Sequence, residues 1–144
     1  MEYVKLTQEN IDQVARNFMD YYNSNEDGCW EYERAYKRIH QFMTIEDSEC
    51  LVQYDNGEMT GFVIGFYKPY DDLTSYCLEE IVIFARYQNK GYGSALLEKI
   101  DGTARSKGAH LVELSSVNDE HHMHFYKKSG YYITNTLKLM GKEL

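Results

Sequence analysis

Seven consecutive residues, Gln88-Asn89-Lys90-Gly91-Tyr92-Gly93-Ser94, have the composition of a turn that binds an anion through its backbone. Gly91 and Gly93 lack a Cβ, so a bulky ligand can approach the main chain there. The first N–H groups of a helix starting behind them have no intrahelical acceptor, and a phosphate can take them. Spacing separates the phosphate chemistries. A Walker-type loop needs four residues between its glycines and a Lys-Ser or Lys-Thr after the second, whereas one residue separates Gly91 from Gly93. A dinucleotide fingerprint fits better, with Glu113 about twenty residues downstream as a ribose ligand. Leu96, however, stands where its third glycine should be.

The elements around the turn follow from hydrophobic period. About Ser75 to Phe84 reads as a strand entering it, and Gly91 to Lys107 as the helix leaving it, packing Leu96, Leu97, Ile100 and Ala104 and ending at Gly108. His110 to Ser115 is the next strand, so strand, helix and strand form a crossover with a parallel pair. Upstream, Tyr3 to Leu6 is a short strand and Thr7 the N-cap of a helix carrying Ile11, Val14, Ala15, Phe18, Met19 and Tyr22 on one face. A second one-faced helix carries Tyr32, Ala35, Tyr36, Ile39, Phe42 and Met43. Cys50 to Tyr54 and Met59 to Tyr67 form a hairpin about Asn56-Gly57, a pair suited to the positive φ angles of a type I′ turn. Asp119 to Ser129 is a short helix stopped by Gly130, and Tyr131 to Leu139 is expected to close the sheet. The sum is an α/β domain with a mixed antiparallel and parallel sheet flanked by helices, a single domain over residues 1–144.

Composition narrows the function. The net charge of −8 is uneven: residues 1–80 hold 6 Lys and Arg against 17 Asp and Glu, residues 81–144 hold 9 against 6. A polyphosphate suits the basic half, near Arg86, Lys90, Lys127 and Lys128, and a cationic amine suits the acidic half. No basic stripe favours nucleic acid as a partner. Apolar runs are too short to span a bilayer and the polar start is unlike a signal peptide, so a cytoplasmic protein without membrane association is expected. Cys29, Cys50 and Cys77 are read as reduced. His121, His122 and His124 share no recognised ligand spacing with the acids beside them, and no metal is expected.

An acidic strand, then Q-N-K-G-Y-G-S, then a helix beginning A-L-L, then a helix ending F-Y-K-K-S-G-Y together resemble the GNAT superfamily of acetyl-coenzyme A dependent N-acyltransferases. The resemblance runs from about Tyr3 to Leu139, with Gln88, Gly91 and Gly93 matching the family's signature. It implies that acetyl-coenzyme A is the cosubstrate, its pantetheine arm lying along the backbone of Ile81, Val82 and Ile83. Its pyrophosphate is expected on Gln88, Asn89, Lys90, Gly91, Tyr92, Gly93 and Ser94. Asn118 is a candidate cofactor contact, since Asp119 occupies the position where the family commonly has Asn.

The resemblance also implies direct transfer of the acetyl group to a primary amine, small-molecule or peptide and cationic, within a ternary complex. An alkyl ammonium with a pKa of ~10.4 is unprotonated in only about one molecule in two thousand at neutral pH, so a base is needed. Glu79 and Glu80 are the candidates. Strand alternation is expected to send them to opposite faces, and register favours Glu79. Tyr126 matches the family's tyrosine near the thioester sulfur and is the expected acid, its phenol pKa near ~10 close to that of an alkyl thiol. A non-catalytic coenzyme A binding module of the same fold is the alternative. Acceptor identity is not legible in the sequence, nor is whether the chain forms a homodimer.

Overall fold

The computed structural model describes all 144 residues. In chain order the elements are β1 (Glu2–Lys5), α1 (Ile11–Asn25), α2 (Tyr32–Thr44), β2 (Leu51–Asp55), β3 (Glu58–Pro69), β4 (Thr74–Ile83), α3 (Tyr92–Ser106), β5 (Leu111–Glu113) and α4 (Glu120–Lys127). A single turn of 3-10 helix, Ala85–Tyr87, links β4 to the glycine-rich turn. The strands form one sheet in the order β1-β2-β3-β4-β5, antiparallel except for the parallel β4–β5 pair made by the α3 crossover. Asn56 and Gly57 take φ angles of 50° and 78°, as the tight turn between β2 and β3 requires.

Strand alternation sorts the core into two layers. Val52, Phe62, Ile64 and Val82 pack under α1 and α2 with Val14, Phe18 and Ile39. Leu51, Val63, Tyr76 and Leu78 pack on the opposite face against Leu96, Leu97, Ile100 and Ala104 of α3. Leu78 and Val82 are four residues apart on one strand and should share a face, yet they belong to different layers. A one-residue bulge is the cause. Ile64 pairs with Glu80 but Gly65 pairs with Leu78, which leaves Glu79 without a partner and inverts the alternation beyond it. Gly65 is required opposite this kink, because a Cβ there would lie 2.4 Å from the Cys77 carbonyl oxygen and 2.5 Å from the Tyr76 hydroxyl.

Two sequence expectations are corrected. Thr7 does not cap α1: its carbonyl accepts from both Asn10 and Ile11 in a preceding turn, Asn10 bonds back to the Thr7 N–H, and the helix starts only at Ile11. Nor does Tyr131 to Leu139 form a strand. β5 is only three residues long and pairs with β4 alone, so this segment has no ladder to join, and Thr134 and Thr136 bond each other across a bend in it. Tyr132, Ile133, Leu137, Leu139 and Met140 stand exposed there.

Candidate active site

The glycine-rich turn is built to leave its amides unused. Asn89 and Gly91 adopt φ angles of 60° and 88°, which turn the chain sharply into α3. Gln88 N–H is tied to the Ala85 carbonyl, and the first helical bond is from Ala95 N–H to Gly91. Between them the N–H groups of Asn89, Lys90, Gly91, Tyr92, Gly93 and Ser94 have no acceptor within the chain. Six consecutive donors at the N-terminus of a fifteen-residue helix, where the helix dipole is positive, form a ready anion site. Gly93 has a second constraint: a Cβ there would sit 2.9 Å from the Phe125 ring of α4.

Three props hold the turn. Gln53, fully buried in β2, donates from Nε2 to the Tyr92 carbonyl at 3.1 Å while its Oε1 accepts from Thr60 at 2.7 Å. Tyr92 donates its hydroxyl to Asp55. Gln88 is the third prop: Nε2 donates to the Ile83 carbonyl at 2.8 Å and to the Tyr21 hydroxyl at 3.0 Å, so both amide hydrogens are spent inside the protein. Lys90 bonds the Arg86 carbonyl through Nζ and remains exposed.

Beside the turn, β4 and β5 part. β5 pairs only with Ser75, Tyr76 and Cys77, so residues Leu78 to Ile83 have no neighbour on that side. The backbone edge of Ile81 and Val82 is therefore open to an extended ligand, whereas the Ile83 carbonyl is already taken by Gln88. Asn118 is exposed and makes no side-chain hydrogen bond. It precedes Asp119, which caps α4 by accepting from His122 N–H and also bonds the His122 ring.

The bulge overturns the expectation that Glu79 and Glu80 face opposite ways. Leu78 belongs to the α3 layer and Val82 to the α1–α2 layer, so the two residues flanking the kink both turn toward α1 and α2. Arg38 of α2 confirms it, with Nη2 donating at 3.1 Å to Glu79 Oε1 and at 3.1 Å to Glu80 Oε2. Tyr22 of α1 donates its hydroxyl to Glu80 Oε1 at 2.6 Å. Both oxygens of Glu80 are thus engaged, and its side chain is 15% exposed against 39% for Glu79, whose Oε2 has no protein partner.

Tyr126 lies on α4 against Phe125 and Tyr131, and its hydroxyl makes no hydrogen bond within the chain. Burial, with a contribution from the charge of Glu80, pushes its hydroxyl up to about 12. The phenol is therefore held neutral more firmly than a free tyrosine. Tyr22 is raised too, by burial first and then by Glu80. Tyr22 and Arg38, which no sequence motif marks, meet Glu80 here, and Arg38 meets Glu79 as well. Arg38 left one trace, a cation on a helix whose apolar face had been counted while its polar one had not.

The comparisons with known proteins agree with this geometry. A family model described as the acetyltransferase (GNAT) family matches residues 11–131. No curated protein matches the chain in sequence. Among solved structures, a probable acetyltransferase superposes with a TM-score of 0.83 at 19% identity, covering 100% of this chain and 98% of that one. A ribosomal-protein-alanine N-acetyltransferase from Brucella melitensis biovar Abortus 2308 gives 0.78 at 15% identity, covering 99% and 100%. An aminoglycoside acetyltransferase from an uncultured soil metagenomic sample, in complex with sisomicin, gives 0.75 at 13%, covering 99% and 95%. At these identities the likeness is one of fold.

Proposed function

The chain belongs to the GNAT acetyltransferase family, and from that premise we propose that it transfers the acetyl group of acetyl-coenzyme A directly to a primary amine bound beside Glu79. Acetyl-coenzyme A supplies an activated thioester. The observation that carries the proposal is the run of six unpaired amides from Asn89 to Ser94, next to a β4 edge without a partner strand and within one bulge of two carboxylates.

In this reading the amides of Asn89 to Ser94 hold the diphosphate, and the free backbone edge of Ile81 and Val82 aligns the pantetheine arm. Glu79, with one oxygen uncommitted, accepts the proton of the ammonium through an ordered water. Glu80 is spent on Tyr22 and Arg38 and fixes the shape of the cleft. Tyr126 donates a hydrogen bond to the charge that develops on the departing sulfur. With its value near 12, full proton transfer to a thiolate runs uphill, so its larger contribution is electrostatic, with the proton retained on the phenol.

The test is free-thiol release from acetyl-coenzyme A against a panel of primary amines. Release that depends on the amine, with no acetylated protein trapped in its absence, is the expected result. Acetylation of the protein itself before amine is added would contradict direct transfer.

A further inference from the structure

Arg38 changes what the cleft can recognise. Two adjacent carboxylates alone would form a site for a polycation, but the guanidinium bridges both and leaves the group of three with a single net negative charge. Arg38 is also under-used. Of its five N–H donors the two on Nη2 are bonded, Nη1 makes no hydrogen bond within the chain, and Nε is buried without an acceptor. Its side chain is 37% exposed, so the free end reaches solvent next to the unpaired Oε2 of Glu79. A cation donor and an anion acceptor thus lie side by side, each with unspent capacity.

We propose that Arg38 determines acceptor specificity by binding an anionic oxygen of the substrate, so that the preferred acceptor is an amine carrying a carboxylate a few bonds from its nitrogen. The ammonium end approaches Glu79 Oε2 and a carboxylate oxygen accepts a charge-assisted hydrogen bond from the free Nη1. A second cationic group at the same place faces Arg38 and is repelled. The inference rests on the acyl-transfer reading above and narrows its substrate class.

Aminobutyrate, butylamine and diaminobutane share a chain length and differ only in the far group, so they read the pocket directly. Wild-type protein is expected to show its highest kcat/KM with aminobutyrate and its lowest with diaminobutane. Arg38→Met should lower the value for aminobutyrate by about tenfold or more relative to that for butylamine and reverse the order of aminobutyrate and diaminobutane, while the affinity for coenzyme A stays unchanged. Arg38→Lys should restore part of the preference. Equal losses for all three amines in Arg38→Met would mean a structural role and overturn the proposal, as would a wild-type preference for diaminobutane; neither result touches the acyl-transfer reading. Calorimetric binding of the three amines to the coenzyme A complex separates the remaining cases. Selective binding of aminobutyrate that Arg38→Met removes, without turnover, upholds the Arg38 assignment and sinks the catalytic one. No selective binding and no turnover sink both.

Discussion

The turn at residues 88–94 and the carboxylate cleft at the bulge lie at opposite ends of the same stretch of β4, and they are made in different ways. The turn uses backbone amides from consecutive residues, fixed by two positive φ angles and a helix start. The carboxylate cluster uses side chains from separate elements, Tyr22 of α1, Arg38 of α2, and Glu79 and Glu80 of β4, with Tyr126 of α4 near enough to feel the charge of Glu80. A site made of local main chain tolerates changes in surrounding side chains and recognises a ligand part common to every turnover. A site made of converging side chains can be retuned one residue at a time. The division matches an enzyme with a constant donor and a selectable acceptor.

Substitutions that touch one region and spare the other should break this comparison if it is wrong. The largest effect is expected for Tyr126→Phe, which should lower kcat by about a hundredfold while leaving coenzyme A affinity intact, measured by steady-state kinetics beside calorimetry. Gly91→Val should do the reverse. No atom crowds a side chain at Gly91, but its φ of 88° is strained for a β-branched residue, so coenzyme A affinity should fall about tenfold with kcat at saturation largely kept. Gln53→Leu sharpens the contrast, because this fully buried amide ties β2 to the turn's main chain. It should cost about 1 kcal/mol in denaturant unfolding and weaken coenzyme A a few-fold.

A smaller effect is expected in alkali. The Tyr126 hydroxyl is raised above its unfolded value near 10, so the folded state keeps a proton that the unfolded state releases. The stabilisation is fully present below about pH 10 and lost as the pH rises toward 12. Alkaline unfolding curves of Tyr126→Phe should therefore be flatter across that window than those of the wild type. Identical curves would mean that the hydroxyl is not buried as described.

The same contrast explains what the sequence disclosed. Gly91 and the Asn56-Gly57 turn were legible because each is a local backbone requirement, visible in two or three adjacent residues. The helices were legible through period. Arg38 and Tyr22 were not, since they meet Glu80 across 42 and 58 residues and nothing in their neighbourhoods marks the encounter. The bulge at Glu79 escaped for a related reason. Alternation predicts opposite faces for adjacent acids, and only the pairing of Gly65 with Leu78 reveals the extra residue. The bracing bonds of Gln88 to Ile83 and Tyr21 were not legible either, because a side-chain amide looks the same in sequence whatever it bonds. Tyr131 to Leu139 has the composition of a strand, but a strand also needs an edge, and β5 is too short to supply one.

The most direct test of the account is a titration of amide-labelled protein with coenzyme A, followed by nuclear magnetic resonance. The amides of Asn89 through Ser94 should show the largest shifts and the strongest protection from exchange, while the amide of Gln88, already bonded to Ala85, should change less. Saturable binding that leaves those six resonances unmoved, with the shifts gathered elsewhere, would contradict it.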